Sequence, residues 1–233
     1  MHKNTYLVRI FAAAMNTYKQ IKHLIAKDLR LEWRQKSAIN SVLLYVASAV
    51  MVAYMAFLKI EPIAWVTVFW LILLFASINA VAKSFVQESN EQQRYYYTLA
   101  SPQAVILSKI IYNLILLLII SLVALLIYCI LMGNPVEDMP MFLLTTLLGA
   151  STFALTFTIL AAIAAKASNN ATLMPILSFP VIIPMLGLLI KISKAALLGT
   201  EDPNLYRDIG SLVAIDVMML TLAFILFPYL WRD

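Results

Sequence analysis

The sequence predicts an all-α membrane protein with six transmembrane helices, and three observations carry that prediction. Of 233 residues, 63% are hydrophobic and 12% charged, whereas soluble globular domains have about 45–50% apolar and about 25% charged residues. Several apolar runs exceed the roughly 18 residues that a membrane-crossing helix needs. No stretch shows the short apolar–polar alternation of a membrane β-barrel. With only five glycines there is little room for large irregular regions. The chain therefore reads as one transmembrane domain over residues 1–233.

The first element is YKQIKHLIAKDLRLEWRQK, residues 18–36, which has helical periodicity. Tyr18, Ile21, Leu24, Ile25, Leu29 and Trp33 share one side, and Lys19, His23, Arg30 and Arg34 the other. Such a helix is expected to lie along a membrane surface, cations toward anionic headgroups and Trp33 at the interface. Asp28 and Glu32, four residues apart, project into the apolar stripe. Carboxylates facing lipid are costly, so this part of the stripe is expected to pack on protein. Two readings remain open for them: docking to a basic partner group, or local pairing with Lys27, Arg30 or Lys36. The basic, mixed-polarity first 35 or so residues do not have the short apolar core of a cleavable signal.

Six apolar spans follow at about 40–58, 63–82, 104–132, 141–165, 173–192 and 209–230. The fifth carries Pro175, Pro180 and Pro184, which remove backbone hydrogen bonds and are expected to bend or break it. The last contains Asp216, expected about 10 Å deep at 1.5 Å per residue. An acid in the membrane must face other helices or a watery cavity. Asp216 is thus either a structural partner or part of a translocation path.

Loop charges orient the chain. Thirteen Lys and Arg fall on the side holding both termini, the connection between spans two and three, and the connection between spans four and five; four fall on the other side. Both termini are therefore expected in the cytoplasm. The net charge of +5 is explained by this topology and needs no nucleic acid.

Residues 83–103 form a connection far longer than two adjacent helices need. KSFVQESNEQQRYYYTLASP is expected to fold as a cytoplasmic helix over 84–99 that ends before Pro102. Tyr95, Tyr96 and Tyr97, with Glu91, Arg94 and Leu99, form a candidate partner-docking surface. The competing reading is a tyrosine belt at the headgroups.

Several chemistries lack their residues. None of the glycines is followed by lysine, so there is no phosphate-binding GxxxxGK[ST] loop. Two histidines, His2 and His23, cannot make HExxH, and the single Cys129 cannot form CxxC. GxSxG is absent, and no pair of catalytic groups converges within the spans. No catalytic residue, metal site or bound cofactor is expected.

Taken together, six spans, an interfacial helix before the first and a long connection between the second and third resemble an ABC-2-type exporter permease. Within that group the chain resembles the haem exporter protein B (CcmB) family of the cytochrome c maturation system. The likeness rests on AKDLRLEWRQK (26–36), NEQQRYYYTLASPQAVILSKIIYN (90–113), LLGASTFALTF (147–157) and ATLMPILSFPVIIPMLGLLI (171–190). Asp28, Leu29 and Arg30 match the family's acidic-Leu-Arg segment; Leu99, Pro102 and Lys109 match its run into a Lys-containing third span; Pro180 and Pro184 match its bent fifth span. The docking connection departs from the family in its tyrosine triplet and lack of glycine.

The resemblance implies a homodimer of permeases in a bacterial inner membrane, bound to two copies of an ATPase subunit and to further membrane subunits of cytochrome c maturation. It implies haem as the substrate handled and ATP used only through the partner. Two other functions fit the same residues: a non-transporting scaffold coupling an ATPase to haem-handling subunits, and an exporter permease for a lipid or glycan. In each, residues 84–99 receive the motor; in the two that transport, Pro180, Pro184 and Asp216 belong to the gate or path.

Overall fold

The computed structural model describes residues 2–35, 37–57, 60–86, 101–165, 170–199 and 203–230. Among them are seven helices and no strand: α1 (His2–Gln35), α2 (Ser37–Ala56), α3 (Pro62–Val86), α4 (Pro102–Met132), α5 (Met139–Ala164), α6 (Asn170–Leu198) and α7 (Leu205–Leu230). Helices α2 to α7 are long and apolar enough to cross a membrane.

Each expected span corresponds to one of these six helices, and the ends move for local reasons. Pro102 opens α4 instead of merely closing the helix before it. Ser101 caps it, accepting from Ala104 N–H at 3.3 Å, and proline stands in the first turn, where its missing N–H costs nothing. Ser84, Phe85 and Val86 belong to the last turn of α3, not to a separate helix beginning at Ser84. Glu91, Arg94, Tyr95, Tyr96, Tyr97 and Leu99 lie outside the described residues. Helix α6 runs on to Leu198, past the expected end at 192, because Lys191 is neutralised there by Asp208 at 2.5 Å.

The fifth span, expected to bend or break, is not broken. Helix α6 is one element through Pro175, Pro180 and Pro184, and Pro180 and Pro184 are exposed on the outside of the chain. A proline ring on the outer face leaves the packed face, with Ile182, Met185 and Leu189 buried, undisturbed.

Helix α5 is the hub. It has no charged residue, 72% of its span is buried, and it packs on α3, α4, α6 and α7. By contrast α2 and α7 are each only 17% buried, so they are the outer helices, with broad faces left for lipid or another chain. Gly149 of α5 permits the tightest crossing: a Cβ there would sit 2.3 and 2.4 Å from ring atoms of Trp70 on α3.

Large side chains fill the space around that crossing. Trp65, Phe69, Trp70, Tyr128, Phe142, Phe153 and Phe157 are all fully buried. Neighbouring rings lie 4.7 Å (Trp65–Tyr128) to 6.1 Å (Trp70–Phe153) apart between centroids. Their polar tips are all used. Trp70 Nε1–H donates to Ser193 Oγ (2.8 Å), Trp65 Nε1–H to Gly133 O (3.1 Å), and Tyr128 O–H to Trp65 O (3.0 Å). Unpaired polar atoms cost several kcal/mol in hydrocarbon, so these bonds let aromatic residues with polar tips serve as core. Among the described residues, the middle of the chain is occupied by these rings.

Helix α1 packs along the start of α4 in the same direction. Gln20 meets Ser101, Asp28 meets Lys109 and Glu32 meets Tyr112, so the contacts advance together along both helices. At 31 residues, α4 is about 46 Å long, beyond the roughly 30 Å hydrocarbon thickness. Its opening turns therefore reach headgroup depth, where an amphipathic α1 can rest against them.

Candidate functional site at the α1 end of the bundle

The expected interfacial helix divides its charges between two faces. Asp28 and Glu32 are buried, with 6% and 4% exposure, while Arg30, Trp33 and Arg34 are exposed. His23, Lys27, Arg30 and Arg34 line a groove of about 290 Å³ on the outer side. Trp33, Leu29 and Tyr18 are exposed beside it.

Asp28 is held by cations from both sides. Its Oδ2 is 3.2 Å from Lys109 Nζ and its Oδ1 is 3.0 Å from Lys27 Nζ. The basic group that answers this carboxylate across the stripe thus belongs to the same chain, on α4, alongside local pairing with Lys27. Glu32 does different work. Its Oε1 accepts from Ile39 N–H at 2.8 Å and its Oε2 from Tyr112 O–H at 3.3 Å. Ile39 is in the first turn of α2, whose leading N–H groups have no partner within the helix. A carboxylate there satisfies one of them and complements the positive end of the helix dipole.

Lys109 is where three elements meet. Its buried ammonium group also donates to Ser84 O at 3.3 Å and lies 5.8 Å from the centre of the Phe85 ring. Ser84 and Phe85 form the last turn of α3, just before residue 87. At the other end of the connection, Ser101 N–H and Oγ lie 3.3 and 3.4 Å from Gln20 Oε1. Lys83 donates to Ser41 Oγ, joining α3 to α2 close by. Helix α1 therefore grips the bundle at both points that flank residues 87–100, the end of α3 and the start of α4.

This clasp was partly missed by sequence reasoning. Two carboxylates on an apolar stripe and one lysine in an apolar run were each conspicuous. Opposite charges stranded in separate apolar segments are the signal that could have paired them. The roles of Gln20, Tyr112 and the Ser84 carbonyl leave no such trace.

Asp216 sits elsewhere. It is eleven residues beyond Leu205, because α7 starts earlier than residue 209. That puts it about 16 Å along a helix about 39 Å long, deeper than the expected 10 Å or so. Its Oδ2 is 2.9 Å from Ser151 Oγ on α5. Pro180 and Pro184 lie on the exposed side of α6. The structure thus gathers Asp28, Glu32 and Lys109 into one site and leaves Asp216, Pro180 and Pro184 outside it.

The family model described as CcmB protein matches residues 19–229. No curated protein matches the chain.

Proposed function

Because the chain belongs to the CcmB protein family, and so is a multi-pass membrane component of the haem-export and cytochrome c maturation machinery, we propose that it is the permease subunit of an ABC transporter. In this reading it works in the bacterial inner membrane as a homodimer, with both termini in the cytoplasm and ATP hydrolysed by a separate subunit. That ATPase docks on the connection expected over residues 84–99, and haem for c-type cytochrome assembly is the substrate class.

The observation that carries the reading is the clasp at Lys109. A push on the connection between α3 and α4 would be delivered to Ser84 and Ser101, where Lys109 and Gln20 join α3, α4 and α1. Glu32 then links α1 to the first turn of α2. Packed helices move as rigid bodies, so a motor gripping this connection would rock several spans at once. Among the described residues, rings fill the space around Gly149, which favours a path between two copies along the sparsely packed α2 and α7.

Tyr95, Tyr96 and Tyr97 to alanine, made together, tests the docking. The triple variant is expected to accumulate in the membrane, lose co-purification of the ATPase and lose periplasmic haem delivery. Wild-type ATPase association and wild-type delivery together would refute the docking assignment.

The filled interior also supports a second reading, a scaffold that couples the ATPase to haem-handling subunits without moving anything itself. The Pro180→Ala, Pro184→Ala double variant separates the two. A permease that bends α6 at its outer face during turnover is expected to assemble with its partners yet deliver haem several-fold more slowly. A scaffold is expected to deliver at the wild-type rate, measured as c-type cytochrome formed per assembled complex.

A further inference from the structure

Asp216 of α7 and Ser151 of α5 face each other near the midpoint of both helices. A carboxylate at the bilayer centre costs roughly 2.5–3.5 kcal/mol on insertion scales, unless a cation answers it. The helices packed on α7 supply none at that depth. Helix α5 has no charged residue. On α6 the cations are Lys191 and Lys194; Lys191 pairs with Asp208, eight residues or about 12 Å from Asp216, and Lys194 lies further toward the same end. On α4, Lys109 is in the clasp, Tyr112 bonds Glu32, and Tyr128 bonds Trp65 O near the other end, next to Cys129. The remaining charged groups of α7, Arg207 and Asp208, stand in its first turn.

The hydrogens can be counted. Ser151 Oγ is 2.7 Å from Leu148 O and 2.9 Å from Asp216 Oδ2. A hydroxyl has one hydrogen. With Asp216 ionised, both neighbours are acceptors, and one of the two contacts holds no hydrogen. With a proton on Oδ2, Asp216 donates to Ser151 and Ser151 donates to Leu148, so both become hydrogen bonds. Thr152 Oγ1 donates to the same Leu148 O at 3.0 Å, as an in-helix bond of α5. Asp216 Oδ1 is buried with no well-formed hydrogen bond among the described residues; the Thr152 hydroxyl lies near the carboxyl group, but its hydrogen goes to Leu148 O, and a neutral carbonyl oxygen tolerates that far better than half of a carboxylate does.

We propose that Asp216 is a proton-binding site at the membrane midplane, a neutral carboxylic acid donating to Ser151 Oγ while α5 and α7 are in contact. Parting of the two helices would admit water and release the proton, linking that contact to the charge on Asp216. The assignment does not depend on which substrate the protein handles.

The test uses the full-length chain in native membranes and in purified complex. Dicyclohexylcarbodiimide, an apolar reagent that adds to protonated carboxyl groups buried in membranes, is expected to label Asp216, located by peptide mass. Infrared spectra are expected to show a carboxylic-acid C=O band that shifts in deuterium oxide, disappears in Asp216→Asn and moves up in Ser151→Ala. An unlabelled Asp216 peptide overturns the proposal even if Asp216→Asn fails to accumulate. So does an infrared spectrum whose carboxylic-acid region is unchanged by that substitution.

Discussion

Lys109→Met is expected to cost about 3–5 kcal/mol of stability, the range for removing one member of a buried ion pair. Asp28 would be left 6% exposed with Lys27 as its remaining ion-pair partner, and Ser84 O would lose its donor. Most of that loss is the penalty of a buried charge left with one partly exposed partner, so the Asp28→Leu, Lys109→Met double variant is expected to recover the larger part of it. Unfolding in mild detergent, followed by tryptophan fluorescence, measures both. The two variants should also differ in function. The double variant keeps α1 packed by apolar contact but no longer ties it to the end of α3. It is expected to bind the ATPase and hydrolyse ATP while delivering little haem. A Lys109→Met variant within about 1 kcal/mol of wild type would mean that the clasp contributes no more than an exposed pair does.

What could be read in advance follows from where the physics is local. Apolar runs of 18 or more residues identify spans because the bilayer imposes their length, and all six reappear as α2 to α7. Helix ends were less legible. Lys191 stands just inside the expected end of the fifth span, and its charge is answered by Asp208, seventeen residues further on, a spacing that no helical period reveals. By residue type alone Pro180 and Pro184 point to a bend or a break. Their position on the exposed side of α6 decides the outcome. For the clasp, the sequence shows that Asp28 and Glu32 need partners but not which ones, since Lys109 is 81 residues from Asp28. Only helix packing brings them together.

The crossing of α3 and α5 carries the other large effect. Trp70→Ala is expected to cost about 3–5 kcal/mol, as large-to-small changes of buried aromatic residues do. Its ring fills the space between Phe69 and Phe153, and its N–H supplies the hydrogen bond to Ser193. Gly149→Ala is expected to cost about 1–3 kcal/mol, because the new methyl group overlaps that ring. The same substitution gains up to about 1 kcal/mol in helix propensity, which makes its sign depend on Trp70. Once Trp70 is alanine, the methyl group meets only the end of the Leu189 side chain, 3.1 Å away and free to move into the vacated space, and the propensity gain remains. Gly149→Ala is therefore expected to be neutral or stabilising in the Trp70→Ala background, a coupling of at least about 1 kcal/mol between residues in contact. Unfolding of the four proteins in one detergent completes the cycle. Equal costs for Gly149→Ala in both backgrounds would show that α5 does not approach α3 through Trp70.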